Sequence, residues 1–245
     1  MQIKLITSIV MGLLLVVSGV TIAADAGNSV YINQVDMDNS TVSITQSGSG
    51  NLFGDVTNSN PFAISGSNLQ LNVTQDGMNN SILGNWNGNT SVASINQVGN
   101  SNQTLLNFGN YGTSSGTLGI DINGDNNNTT LNVGQTATAD NYKYQLNIGS
   151  TFSNGTSTAN SGTSSNNTVT STINSTNVDT KIAIAGNHNT VTTAQSGGTG
   201  HKIDLNIIGS SNTVGITQDG ANANTAIVNI TGTGSNTNAI SIMQH

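Results

Sequence analysis

A period of about 22 to 23 residues constrains this chain more than any other feature. Ile184 and Ile207 are 23 residues apart, and a glutamine follows each of them by eleven residues. In the other half of the chain, Gln75 and Gln97 are 22 residues apart, and an apolar residue precedes each of them by the same eleven. Phase agreement over more than a hundred residues indicates a repeat fold rather than a disordered polar tail.

Within each period, apolar residues alternate with polar ones. Ile203, Leu205 and Ile207 share one parity, a Gly/Ser/Asn turn follows, and Val214 and Ile216 then share one parity. Alternation of this kind predicts β-strands rather than helices. A single strand pair cannot bury its apolar face, whereas a stack of pairs can. We therefore predict an all-β fold, a β-solenoid of stacked strand-turn-strand repeats of about 22–23 residues that is cross-β on polymerisation.

Glutamine recurs on the same parity as the inward isoleucines and valines. Stacking would line up identical amides, so that each donates to the next and a costly buried amide is satisfied. The alternative is that these glutamines lie on the surface of polar strands. The predicted ladder consists of Gln34, Gln46, Gln75, Gln97, Gln195, Gln218 and Gln244. The predicted repeat turns contain Gly48, Asn51, Gly77, Asn80, Gly99, Asn102, Gly186, Gly209 and Gly232. The predicted core apolar positions are Ile64, Trp86, Phe108, Ile184, Ile207 and Ile230.

The composition leaves few groups for catalysis or ligand binding. Asn, Thr, Ser and Gly number 40, 33, 29 and 29 of the 245 residues, the net charge is −7, and the chain has no Cys. A disulfide framework and a thiolate metal site are excluded, and nucleic-acid binding lacks the basic residues it needs. His188 and His201 are thirteen apart, which does not indicate a metal pair. We predict no enzyme activity, no catalytic residues, no cofactor and no metal.

The first residues resemble a targeting segment rather than part of the fold. Lys4 precedes an apolar run over residues 5–20, and small residues follow it up to Ala26. This pattern predicts a cleaved secretory signal peptide over residues 1–24, with a membrane anchor as the alternative. The remaining chain is divided into repeats at 25–110, a degenerate or partly disordered region at 111–180, and further repeats at 181–245.

The stretch from Ser40 to Asn51 carries a recognisable motif. Ser40 is followed after five residues by Gln46, and then by Gly48, Gly50 and Asn51. This segment resembles the curlin repeat of curli fibre subunits, which are extracellular functional amyloids. The motif recurs with variations around the other predicted ladder glutamines, including Asn189 and Asn212 in the place of the serine, and Trp86 and Phe108 where the family has its second glutamine.

The resemblance implies a secreted structural subunit of a cell-surface fibre that serves adhesion and the biofilm matrix. Its expected partners are further copies of itself, a nucleator subunit and an outer-membrane secretion apparatus. The strand patterns predict uncapped ends: one at Val30 to Gln34, near the predicted mature start, and the other at residues 238–244. Uncapped coils predict head-to-tail growth that does not close into a ring.

A secreted, monomeric β-solenoid that binds ice or glycans is the competing prediction. Such a module would share the threonine-rich composition, because regular threonines on a flat sheet can organise water. The distinguishing feature would be a strict Thr-x-Thr column. Thr190 and Thr192 form one such pair, but the residues 23 positions further on are Thr213 and Gly215, so the sequence does not predict a continuous column.

Overall fold

The computed structural model describes residues 27–34, 39, 41–55, 61–86, 92–108, 116–137, 139–153, 156–159, 164–232 and 237–245. The predicted signal peptide lies outside these ranges, and so do the side chains of Gln34 and of residues 150–153 and 156–159. All regular secondary structure in the described part is β-strand. Among the described residues, no helix is long and apolar enough to cross a membrane.

The strands follow one another at short intervals along the chain. In chain order they are β1 (Ser29–Val30), β2 (Ile32–Gln34), β3 (Thr41–Ser49), β4 (Leu52–Phe53), β5 (Phe62–Ile64), β6 (Gln70–Met78), β7 (Ser81–Trp86), β8 (Val92–Val98), β9 (Gln103–Phe108), β10 (Thr117–Asn123), β11 (Asn128–Val133), β12 (Lys143–Ile148), β13 (Ser150–Ser153), β14 (Thr156–Ala159), β15 (Thr168–Thr176), β16 (Asp179–Ala185), β17 (Thr190–Thr199), β18 (Lys202–Ile208), β19 (Thr213–Gln218), β20 (Thr225–Thr231) and β21 (Ala239–Gln244).

Two parallel sheets contain all of these strands except β13 and β14. Sheet 1 has the order β1-β4-β7-β9-β11-β15-β17-β19-β21, with β2 and β5 beside the β1 end. Sheet 2 has the order β3-β6-β8-β10-β12-β16-β18-β20. The chain alternates between the sheets, and every strand pairs in parallel with the strand one coil away. The prediction of an all-β solenoid is confirmed.

Alternation of side chains places the core between the sheets. In β18, Ile203, Leu205 and Ile207 are completely buried, whereas the intervening residues are partly exposed. The same alternation holds in β6 and β20. Because successive side chains of a strand point to opposite faces, each strand gives one apolar row to the shared core. The core is therefore one continuous column of Ile, Val, Leu and aromatic side chains.

The region at 111–180, which we predicted to be degenerate or partly disordered, supplies four strands to the stack. β10 and β12 pair in sheet 2, and β11 and β15 pair in sheet 1. Between β12 and β15 the chain leaves the stack and forms the antiparallel hairpin β13–β14. The low-complexity sequence of this region is thus interrupted by an insertion between regular coils.

Candidate functional site: side-chain ladders and sheet edges

Three of the predicted glutamines form a ladder inside sheet 2. Gln46 Nε2 donates to Gln75 Oε1 at 2.8 Å, and Gln75 Nε2 donates to Gln97 Oε1 at 2.9 Å. Each Nε2 also donates to a backbone carbonyl of sheet 1, such as Leu52 O at 3.1 Å from Gln75. All three side chains are buried. These amides therefore bind successive coils together within the core.

A second glutamine ladder lies inside sheet 1. Gln195 Nε2 donates to Gln218 Oε1 at 3.0 Å, and Gln218 Nε2 donates to Gln244 Oε1 at 2.9 Å. Gln195 and Gln218 are buried, and Gln244 lies on the edge strand β21. In both ladders the donors point from each coil toward the next one along the chain, so the stack has a chemical direction.

The two ladders lie on opposite sheets because the glutamine moves by half a coil between the halves of the chain. A threonine hydroxyl from the opposite sheet completes each inner ladder end. Thr104 Oγ1 accepts from Gln97 Nε2 at 2.9 Å, and Thr180 Oγ1 donates to Gln195 Oε1 at 2.6 Å. The structure therefore brings the predicted glutamines together as two separate sets. The side chain of Gln34 lies outside the described part, although its backbone is in register with Ile64.

The predicted core residues occupy the glutamine register wherever glutamine is absent. In sheet 2, the register of Gln97 continues through Ile122 and Ile148 to Ile184, Ile207 and Ile230. In sheet 1, the same role belongs to Ile64, Trp86 and Phe108, and the Trp86 and Phe108 rings lie 5.0 Å apart. All six predicted core residues are buried. Each coil thus contains at most one ladder glutamine, opposite an apolar residue.

An asparagine ladder runs through the corner that leads from sheet 2 to sheet 1, which we call the asparagine corner. From one coil to the next, a backbone N–H donates to the Oδ1 of the preceding asparagine at 2.9 to 3.1 Å. In the last step, Asn238 Nδ2 donates to Asn212 Oδ1 at 2.8 Å. The members are Asn28, Asn51, Asn80, Asn102, Asn127, Asn167, Asn189, Asn212 and Asn238.

The sequence comparison named Asn51, Asn80 and Asn102 but misaligned Asn189 and Asn212. Those two were placed at the start of a repeat, in the serine position. The structure puts them in the asparagine corner, equivalent to Asn102. The signal that could have identified them is an asparagine directly before a strand in every coil, which persists where the glutamine changes sheets.

The predicted turn glycines lie at the same corner, just before the asparagines. Gly48, Gly77, Gly99, Gly186 and Gly209 have positive φ, whereas Gly232 at the last described turn is not among such residues. The corner asparagines donate from Nδ2 to the glycine carbonyl of the following coil, as Asn51 does to Gly77 O at 3.0 Å and Asn189 to Gly209 O at 2.9 Å. Glycine and asparagine therefore act together at the turn.

We expect Gln75→Ala to lower the free energy of unfolding by about 2 to 4 kcal/mol, since buried partners lose their hydrogen bonds. Those partners are Gln46 Nε2, Gln97 Oε1 and Leu52 O. Urea unfolding of the monomer measures the change. Gln70→Ala, on the exposed face of the same strand, is the matched control and should have an effect within about 0.5 kcal/mol. Equal effects of the two substitutions would contradict a stabilising ladder.

Tyr144 is the described ionisable group whose pKa is most altered. It is buried, its hydroxyl lies 3.1 Å from Ser171 Oγ, and burial raises its pKa well above the ordinary value, with a smaller opposing effect from the Ser171 hydrogen bond. Because the folded state disfavours the phenolate, the stability from this site is complete below the unfolded pKa of about 10 and is lost as pH rises above it.

Titration of tyrosine absorbance should therefore show one residue that ionises only together with unfolding. Tyr144→Phe keeps the packing, and Ser171 keeps its bond from Thr193 Oγ1 at 2.9 Å. The variant should lose that delayed step and unfold at higher pH than the parent. A Tyr144 that titrates in the folded protein near pH 10 would contradict this prediction.

The described side chains form few clusters that could perform chemistry. His201 is buried at the opposite corner, where Nδ1 accepts from Asn224 N–H at 3.3 Å and Nε2 lies 3.1 Å from Ser196 O, while His188 is exposed in a turn. In the part of the chain that the structure describes, no group of three His, Asp or Glu side chains could hold a metal ion. No protein-family model matches the chain, and no curated protein or solved structure matches it either.

Proposed function

We propose that this chain is the structural subunit of a secreted cell-surface fibre, a functional amyloid that assembles head-to-tail for adhesion and the biofilm matrix. The observation that carries the proposal is the pair of glutamine ladders together with the asparagine corner, in which each coil binds the next through equivalent backbone and amide groups. A contact repeated between coils of one chain can be repeated between chains.

The exposed sheet edges support this proposal. β21 is the edge of sheet 1 and β20 the edge of sheet 2. Met243 in β21 and Ile227 in β20 are each 65% exposed, and Ile240 and Ile242 are only partly buried. A parallel edge strand with free backbone groups and apolar side chains is a template for another strand. The edges therefore suit addition of a second copy.

The resemblance to curlin repeats supplies the biological setting of the proposal. The chain would be exported by its signal peptide, reach the cell surface unfolded and polymerise there. A nucleator subunit and an outer-membrane secretion apparatus would be its partners. Low charge favours this route, since the sequence has only four Lys and eleven Asp, and segments of low net charge pair readily as cross-β strands.

Assembly of the purified mature chain, residues 25–245, tests the proposal. Release from denaturant at neutral pH should give unbranched filaments in negative-stain electron microscopy, with a fibre-diffraction spacing near 4.7 to 4.8 Å along the axis. The same protein kept in denaturant is the control. Folded monomer that persists for days without filaments would refute the fibre proposal.

One outward surface favours a second candidate, the ice- or glycan-binding module. On the outer face of sheet 1, β15 carries Thr168, Thr170 and Thr172, and Thr190 and Thr192 lie beside them in register. The next strand continues with Thr213 but then has Gly215. Hydroxyl rows of this kind can order water or contact sugar hydroxyls. Thermal hysteresis shown by the monomer, and lost in Thr192→Leu, would favour this candidate over the fibre.

A further inference from the structure

The two edge strands of sheet 1 carry the same inward sequence pattern. At one edge, Asn28 is followed on the same parity by Val30, Ile32 and Gln34. At the other edge, the corresponding residues are Asn238, Ile240, Ile242 and Gln244. Asn28 and Asn238 are the first and last members of the asparagine corner. The edges therefore match residue for residue, from the corner to the glutamine.

Within its own chain, the first edge does not lie beside a strand of its own kind. β2 pairs with β5, so Gln34 is in register with Ile64, and the following positions are aromatic. The glutamine ladder of sheet 1 instead ends at Gln244. A glutamine at one edge and a ladder that ends in glutamine at the other are complementary only between two copies of the chain.

The last amide of the sheet 1 ladder is also incomplete. Gln218 Nε2 donates both to a backbone carbonyl, Lys202 O at 2.9 Å, and to the next glutamine. Gln244 Nε2 donates to Thr225 O at 3.1 Å, and it has no further amide acceptor among the described residues. Since an amide nitrogen has two hydrogens, Gln244 retains a donor directed past the end of the stack.

We propose that β1 and β2 of a second copy pair in parallel with β21, with Asn28 beside Asn238 and Gln34 beside Gln244. This junction rests on the proposed fibre function and specifies which strands meet. It continues the asparagine corner and the glutamine ladder across the boundary between subunits. The contact is heterologous, so each added copy presents a new β21 for the next.

The junction is made in sheet 1, and this sets the length of one subunit in the fibre. Sheet 1 provides nine successive strand positions and sheet 2 provides eight. Among the described residues, no strand of sheet 2 lies beside β1 and β2, so β20 of one copy and β3 of the next are two positions apart. At about 4.8 Å per strand, the subunit repeat is about 43 Å. Direct pairing of β20 with β3 would give about 38 Å instead.

Engineered disulfides distinguish these junctions, because the chain has no cysteine of its own. Asn33 and Met243 are exposed, and the strand registers make them equivalent positions on the outer face of sheet 1. In the proposed junction their Cα atoms are about 4.8 Å apart, within the range for a disulfide. Oxidised filaments of the double variant Asn33→Cys/Met243→Cys should dissolve in denaturant as a ladder of covalent multimers.

The matched control is the double variant Thr45→Cys/Asn229→Cys. These exposed residues are equivalent positions of sheet 2, and the proposed junction separates them by about 9.6 Å, too far for a disulfide. Single variants with one cysteine should remain monomeric in denaturant. Multimers from the sheet 2 pair, or dimers from Met243→Cys alone, would overturn the proposed junction.

The axial repeat of unmodified filaments gives an independent measurement. A helical reconstruction with a subunit repeat of about 43 Å supports the junction, and one of about 38 Å overturns it. Absence of filaments from the unmodified protein would refute the fibre function itself. Filaments with the wrong repeat or the wrong crosslinks would refute only the proposed junction.

Discussion

Asn102→Ala should lower the free energy of unfolding by about 2 to 5 kcal/mol, because two buried groups lose their partners at once. Asn102 Nδ2 donates to Gly124 O at 2.7 Å, and Asn102 Oδ1 accepts from the Asn127 N–H at 3.1 Å. Alanine cannot replace either bond. Urea unfolding of the monomer measures the loss, and hydrogen exchange should show reduced protection at the Asn127 amide.

Two further variants test whether the asparagine corner is one continuous ladder. Asn72→Ala, on the exposed face of β6, is the control and should change stability by no more than about 0.5 kcal/mol. Asn189→Ala, in the other half of the chain, should resemble Asn102→Ala, because Asn189 has the same contacts with Gly209 O and the Asn212 N–H. A mild Asn189→Ala beside a severe Asn102→Ala would mean that the corner does not act as one ladder.

The strands and the side of each strand that is buried could be predicted from the sequence. In β18 and β19 the alternation of Ile, Leu and Val with polar residues is nearly perfect, and it fixes which side chains face the core. Because a shift by one residue would expose the whole apolar row, the pattern determines register as well. Local alternation was therefore enough to predict the solenoid.

The sheet on which each glutamine lies could not be predicted from the repeat spacing. Each coil consists of two similar halves, and the sequence shows an apolar residue eleven positions before Gln97 and again before Gln195. Structurally, Gln97 belongs to sheet 2 and Gln195 to sheet 1. A half-coil shift leaves the spacings within each half of the chain unchanged, so only strand pairing reveals it. The corner asparagines reveal it as well, since Asn102 follows Gln97 and Asn189 precedes Gln195.

The middle of the chain was difficult to interpret because insertions obscure its period. Asn127 and Asn167 are adjacent in the asparagine corner although 40 residues separate them. The hairpin β13–β14 accounts for part of this separation. Apolar residues in the coils around it, such as Leu131 and Ile173, keep the inward parity, but periodicity averaged over the region cannot recognise them.

Gly99→Ala should be among the most disruptive single substitutions in the chain, with a loss of about 3 to 5 kcal/mol from backbone strain and overpacking combined. Gly99 has φ +118°, and an added Cβ would collide with the backbone carbonyl of Gly124 in the next coil. That carbonyl cannot withdraw, because it also accepts from Asn102 Nδ2 at 2.7 Å. The substitution therefore opposes the contact between two coils and not only the local turn.

Two glycine-to-alanine controls separate this effect from the general cost of changing glycine. Gly119 lies in β10 without a positive φ, and its added Cβ would have only ordinary contact with Gln145 Cγ at 4.0 Å. Gly119→Ala should be neutral or stabilising by up to about 1 kcal/mol. Gly232 is at the last described turn, where an added Cβ meets nothing within 4 Å, so Gly232→Ala should leave stability and filament growth unchanged. If Gly99→Ala matched these controls in urea unfolding, close approach of successive coils at the glycine turn would not be limiting for the fold.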